Sequence, residues 1–306
     1  MHHTLLRVRH GAAVSLAALS CSSPLTRGGI DPPTRCETKG DVKLVTNWSD
    51  PKKAMRMEAN YKNPEVVASR AEMVALLRPA PGERILDVGC GPGFLVQEVA
   101  VALGGTGCVE GLDSSPVFLE LAGERLSEVS NVALHVGTAE ALPFADDLFD
   151  AVVMSQVLLY VPDVPLALRE ARRVLRPGGR LLICDTDWDS LVANTADRER
   201  FGRIRECCCS TFLDAHLPPK LPGMLSVAGL RIVDSRTFPM LGAGRVDPTD
   251  SFVGNWAFRV VADKAPGFGL PASDVEAWLE EQRRLNEEGA FFACVHRFFF
   301  LAVKPE

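Results

Sequence analysis

Five residues, Gly89-Cys90-Gly91-Pro92-Gly93, stand between an apolar strand pattern at 84–88 and a helix pattern that starts at Phe94. Glycines there let the backbone turn sharply and approach a ligand closely. Alone, the loop fits NAD, FAD, S-adenosylmethionine (SAM) or a plain turn. Three features discriminate. The spacing is Gly-x-Gly-x-Gly, with Gly89, Gly91 and Gly93 as its glycines, not the Gly-x-Gly-x-x-Gly of dinucleotide folds. Asp87 ends the strand beside the loop, where it would repel a pyrophosphate and attract the ammonium and sulfonium of SAM. Asp113 follows Gly89 by 24 positions, close to the spacing of about 20 at which an acid takes the ribose hydroxyls in dinucleotide folds. Asp113 also fits a helix cap, since Ser114 and Ser115 follow it.

Methyl transfer from a sulfonium is an in-line displacement on an already activated group, so proximity and alignment supply most of the effect. A base is needed only if the nucleophile arrives protonated. The base candidates are Asp185 and Asp187, after a fifth strand, and His216, beside Asp214. Each also fits a loop, cap or surface role. His296, in the last strand, reads as structural. Tyr61, Tyr160 and Trp188 are candidates for the substrate wall, with Trp48 and other aromatics beyond residue 188 closing an apolar lid. Cys207, Cys208 and Cys209 are consecutive. On a helix successive residues point about 100° apart, so three in a row cannot converge on one ion, and no metal site is expected.

The elements that must position these groups follow from periodicity. A helix with apolar residues at helical spacing starts at Pro64 and is stopped by Pro79-Ala80-Pro81-Gly82. Strands at 84–88, 108–113, 132–136, 149–154 and 180–184 then alternate with helices at 94–103, 116–126 and from Asp163 to the turn Arg176-Pro177-Gly178-Gly179. Short apolar strands alternating with helices predict an α/β fold with a doubly wound, mostly parallel, seven-stranded sheet. Residues 189–222 read as helical, 230–238 as a strand, 240–290 as mainly helical and 291–304 as a long aromatic strand. The expected organisation is an extension at 1–40 and one domain at 41–306, with its core at 64–188 and cap insertions at about 189–222 and 240–290.

The stretch from about 64 to 186 resembles the class I SAM-dependent methyltransferases, of the type that includes ubiquinone/menaquinone C-methyltransferases and arsenite methyltransferases. Four segments carry the likeness: Ile85 to Phe94, Val109-Glu110-Gly111-Leu112-Asp113, Gly137-Thr138-Ala139-Glu140-Ala141-Leu142-Pro143-Phe144, and Arg173-Val174-Leu175-Arg176-Pro177-Gly178-Gly179-Arg180-Leu181. The resemblance implies a Rossmann-like fold and SAM as cofactor. It implies that Gly89, Gly91 and Gly93 wrap the methionine part and that Asp113 binds the ribose. It places Ser114, Ala139 and Glu140 near the adenine, and Gln156 by the sulfonium. Glu140 equally fits the first turn of a helix.

The net charge of −6 gives no basic field to gather phosphates. The Asn/Asp-Pro-Pro-aromatic motif of nucleic-acid base methyltransferases is replaced by Ser155-Gln156-Val157-Leu158-Leu159-Tyr160. A small, partly apolar molecule is therefore the expected acceptor, and no nucleic acid. The alternatives are a non-catalytic SAM-binding subunit and an arsenite methyltransferase. No apolar run approaches the roughly 20 residues of a membrane span. Residues 1–30 contain no Asp or Glu but carry Arg7, Arg9 and Arg27. That pattern is expected of an organelle transit peptide, with a secretory signal as rival and cytoplasmic residence otherwise. Nine Cys, an odd number, form no disulfide framework and point to a reducing compartment.

Overall fold

The computed structural model describes residues 51–264 and 269–306. The proposed targeting segment and Trp48 lie outside them.

Two helices lead in, α1 (Pro51–Asn60) and α2 (Pro64–Leu77). The alternating core then runs β1 (Arg84–Val88), α3 (Phe94–Ala102), β2 (Cys108–Asp113), α4 (Pro116–Arg125), β3 (Val132–Val136) and β4 (Phe149–Ser155). Next come α5 (Val164–Val174), β5 (Leu175–Ala193), α6 (Arg198–Cys209), α7 (Leu221–Val227) and β6 (Arg231–Gly244). The chain closes with α8 (Phe252–Asn255), α9 (Val261–Lys264), α10 (Ala272–Glu287) and β7 (Phe291–Val303).

The seven strands form one sheet in the order β3-β2-β1-β4-β5-β7-β6. β7 runs antiparallel to both neighbours, and the other pairings are parallel. The expected mostly parallel seven-stranded sheet is therefore present. Its inner strands are apolar on both faces because helices cover both. Leu86, Val152 and Leu181 belong to one core cluster with α5 and α7. Ile85, Val153 and Leu182 belong to another with α2, α3 and α4. A third cluster joins α6, α8, α9 and α10 over the ends of β5, β6 and β7. Trp278 is its centre: it is fully buried, stacks on Phe201 at 5.8 Å, and donates its indole N–H to the Ala257 carbonyl at 2.8 Å.

Several boundaries differ from the sequence expectation. β5 does not stop at residue 184 but continues to Ala193, because β7 supplies an antiparallel partner from Arg180↔Val303 to Ala193↔Ala293. Asp185, Asp187 and Trp188 thus sit within a strand. Residues 189–193, expected as helix, are strand, and only 198–209 and 221–227 of the supposed helical insertion form α-helix. β6 likewise runs on to Gly244, into the region expected to be helical. Glu140 lies in a turn closed by a Thr138↔Ala141 bridge, so it is no helix residue. The cap charged to Asp113 belongs to Ser115, whose hydroxyl accepts from the Phe118 amide.

Candidate functional site

The strand order reverses between β1 and β4, and in open α/β sheets ligands bind outside the carboxyl ends of strands at such a point. A cavity of about 490 Å³ opens there. One end is lined by the glycine loop, Asp87 and Asp113, the other by aromatic side chains of the cap.

The loop is held from beneath and from the side. The amides of Gly89 and Cys90 both donate to the Leu112 carbonyl, at 2.6 and 3.0 Å. Gly89 has φ +72°, and a Cβ there would collide with Val157. Gly91 has φ +52°, and a Cβ there would lie 3.5 Å from the Tyr61 hydroxyl. A side chain at either position would deform the turn or narrow the slot between loop and Tyr61. Asp113 ties the loop to the next strand: its Oδ2 accepts from the Gly91 amide at 2.8 Å and its Oδ1 from the Ser115 amide at 2.8 Å. The Ser114 amide also acts on Asp113, and since a carboxylate has about four lone-pair positions, acceptor capacity remains for a ligand hydroxyl. Burial lifts the Asp113 pKa above the usual carboxylate range, although these amides oppose the shift.

Asp87 is buried, and among the described residues no basic side chain pairs with it. Burial, helped by the nearby Asp113, pushes its pKa up to about 8. Such a carboxyl, facing a cavity without a counter-charge, fits a cationic group.

Tyr61 roofs this end. Its ring stacks on Phe94 with centroids 5.7 Å apart, and Arg125 lies 3.5 Å above the centroid of Phe94. Arg70 donates to the Tyr61 carbonyl at 2.7 Å and to Glu98 at 2.8 Å, fixing the N-terminal segment over the loop. Ser114, Ala139 and Glu140 line the far side, with Leu112 and Phe118. The structure therefore brings together all the residues expected at the cofactor except Gly93. That glycine does not line the cavity. It starts α3 at φ +79°, where a Cβ would press on Ala122 and Leu126 at 3.1 Å.

Gln156 lies between the two ends. Its backbone is left-handed at φ +57°, an uncommon state for this residue type. Its side chain is locked: Nε2 donates to the Cys184 carbonyl at 3.1 Å, and Oε1 accepts from the Thr186 hydroxyl at 2.7 Å.

Beyond it, aromatic rings form a continuous wall. Tyr160 meets Phe212 at 5.4 Å, Phe212 stacks on Trp188 at 5.2 Å, and Trp188 meets Phe252 at 6.3 Å. All four line the cavity, as does Trp256. Tyr61, Tyr160 and Trp188, expected at the substrate, thus share this cavity. Burial pushes the Tyr61 hydroxyl up to about 12 and raises that of Tyr160 further above its ordinary value. Both phenols stay protonated at neutral pH.

The three base candidates do not line the cavity. Asp185 is fully buried beneath the Val157–Leu158 turn, and burial raises its pKa strongly even though the amides of that turn oppose the shift. Asp187 Oδ1 accepts from His216 Nδ1 at 2.8 Å, which pairs a buried carboxyl group with a half-exposed imidazole. Asp187 raises the His216 pKa through that hydrogen bond. The longer β5 moves the carboxyl edge past these acids, which is why reasoning from a strand ending at residue 184 misplaced them. Cys207 and Cys208 are packing residues of α6, Cys208 also touching the cavity. Among the described residues no group of three or more metal-ligating side chains converges.

Sequence reasoning missed Arg70 and Arg297, both in the cavity wall. The available signal for Arg297 was a single cation in the aromatic run Phe298-Phe299-Phe300 and its flanks.

Residues 79–221 match a family model described as a methyltransferase domain. The 2-phytyl-1,4-naphtoquinone methyltransferase of Synechococcus elongatus is 42% identical over 108 residues, 34% of this chain and 46% of that protein. The demethylmenaquinone methyltransferase of Staphylococcus aureus is 41% identical over 110 residues, 36% of this chain and 46% of that protein. The chain thus spans less than half the length of the curated relatives it matches. A putative methyltransferase from Bacillus halodurans shares the fold, with a TM-score of 0.55 at 18% identity over 78% of this chain and all of that one.

Proposed function

We propose that the chain, whose residues 79–221 match a methyltransferase domain, is a class I SAM-dependent enzyme that transfers a methyl group from SAM to a small, partly apolar molecule with a flat conjugated ring. The observation that carries this reading is the single cavity that joins the acid-flanked glycine loop to the aromatic wall. Asp113 takes the ribose hydroxyls, Asp87 faces the positive charge, and Ala139 and Glu140 flank the base. When bound, SAM supplies a methyl group already activated on a sulfonium. Tyr61 and Gln156 position the two ends, and the aromatic wall excludes water. The matched quinone methyltransferases support a ring acceptor.

Among the described residues, the aromatic end of the cavity holds no carboxyl or imidazole group, and both tyrosines titrate far above neutral pH. The acceptor must therefore arrive with its nucleophile activated. The same observation favours a second reading, a non-catalytic SAM-binding protein. One experiment separates them. The full chain is incubated with methyl-labelled SAM and a reduced 1,4-naphthoquinone, then with a whole metabolite extract. Labelled product and S-adenosylhomocysteine are expected. Tight SAM binding with no label transferred to any compound would leave the non-catalytic reading.

A further inference from the structure

Arg297 lies on β7, paired with Thr186 of β5 and Phe238 of β6, and lines the cavity. It is only 5% exposed. Its Nη1 donates to the Ser69 hydroxyl at 3.1 Å, while its Nε is fully buried and has no partner. Among the described residues no carboxylate lies within ion-pair distance of it. Arg70 and Arg180, by contrast, are neutralised by Glu98 and Glu83, each within 2.8 Å. The charged and titratable groups that act on Arg297 are Asp185, Cys184, Tyr61 and Arg70, and burial lowers its pKa. A guanidinium nevertheless stays protonated in proteins. A buried charge without a counter-charge is costly, and an incoming anion removes that cost.

The surroundings define what kind of anion fits. The guanidinium sits 5.4 Å over the Phe252 ring, at the end of the wall that runs through Trp188 and Phe212 to Tyr160. The indole N–H groups of Trp188 and Trp256, both residues of this wall, also lack acceptors. The chamber therefore holds ring faces and unpaired donors, while the cavity's carboxyl groups (Asp87, Asp113 and Glu140) stand at the cofactor end.

We propose that Arg297 is the recognition group for an acceptor that bears an anionic oxygen, a carboxylate or an ionised hydroxyl, on a flat conjugated ring. This rests on the reading of the cavity as a cofactor end joined to an acceptor end. The guanidinium orients the ring against the aromatic wall by a charge-assisted, fork-shaped hydrogen bond. An ionised ring oxygen also answers the lack of a base, since such an acceptor is already electron-rich.

The test is calorimetric titration of the full chain, saturated with S-adenosylhomocysteine, with 2-naphthoate, with 4-nitrophenolate at a pH where it is ionised, and with neutral 2-naphthamide. At least one anion is expected to bind about tenfold or more tightly than the amide, as charge-assisted hydrogen bonds require. Preference for naphthoate identifies a carboxylate, and preference for nitrophenolate an ionised hydroxyl. Arg297→Met is expected to abolish the preference and leave S-adenosylhomocysteine affinity unchanged. Equal binding of amide and anions by the unaltered protein, or no binding of any of them, would overturn the proposal without recourse to a variant. So would an Arg297→Met protein that keeps the preference but loses S-adenosylhomocysteine, since Arg297 would then read the carboxylate of the cofactor. Failure of the unaltered protein to bind S-adenosylhomocysteine at all would instead remove the cofactor reading beneath it.

Discussion

Asp113→Ala is expected to weaken S-adenosylhomocysteine binding by on the order of a hundredfold, measured by calorimetry. Two losses add. The carboxylate accepts from the Gly91 and Ser115 amides, so its removal leaves the glycine loop without its lateral anchor. The acceptor capacity left on this cavity-lining carboxylate is also lost to the ribose hydroxyls. Asp113→Asn keeps the shape and one acceptor oxygen, and is expected to fall between the two. Normal binding by Asp113→Ala would remove this residue from the ribose role, and with it the use made of its spacing from Gly89.

The second large effect is a pH dependence of cofactor affinity that runs opposite to the pH dependence of stability. In the folded chain the Asp87 pKa is raised from 3.8 to about 8. Between those values the folded chain holds a proton on Asp87 that the unfolded chain has released. The free protein therefore loses stability as pH climbs through that window. A sulfonium or ammonium beside the carboxyl favours its ionised form, so binding releases the proton. Affinity for SAM is expected to rise by roughly tenfold per pH unit up to about pH 8 and then level off. Asp87→Asn is expected to flatten that slope. Calorimetry in buffers of different ionisation enthalpy counts the released proton directly, and a slope identical in the variant would assign the titration to another group.

The parts of the fold legible in the sequence are those whose signal is local. β1, β2 and β4 are short, largely apolar runs buried between helices, β3 is a half-exposed edge strand, and glycine, proline or polar residues mark their ends. Asp87, the glycine loop and Asp113 are legible because their places around the cavity depend on strand ends and fixed spacing. The extension of β5 was not. Thr186, Asp187 and Asp189 look like a polar loop, and their strand conformation comes from β7, more than a hundred residues later. The base candidates inherited that error, since a strand two residues longer or more shifts which side chains stand at the carboxyl edge. Arg297 was hidden for a related reason. Nothing in its own neighbourhood says that it lacks a carboxylate, because that depends on every element packed against it. The aromatic wall was foreseen as a set of residue types, but its membership is fixed by α6, α8 and the turn after β4 meeting in space.

The central claim is that the loop, Asp87 and Asp113 form a site for SAM and not for a dinucleotide. The most direct measurement is titration of the full chain with S-adenosylhomocysteine and, separately, with NAD. Saturable binding of one S-adenosylhomocysteine per chain, with no detectable heat for NAD, is the expected result. Tight NAD binding without S-adenosylhomocysteine binding would contradict it.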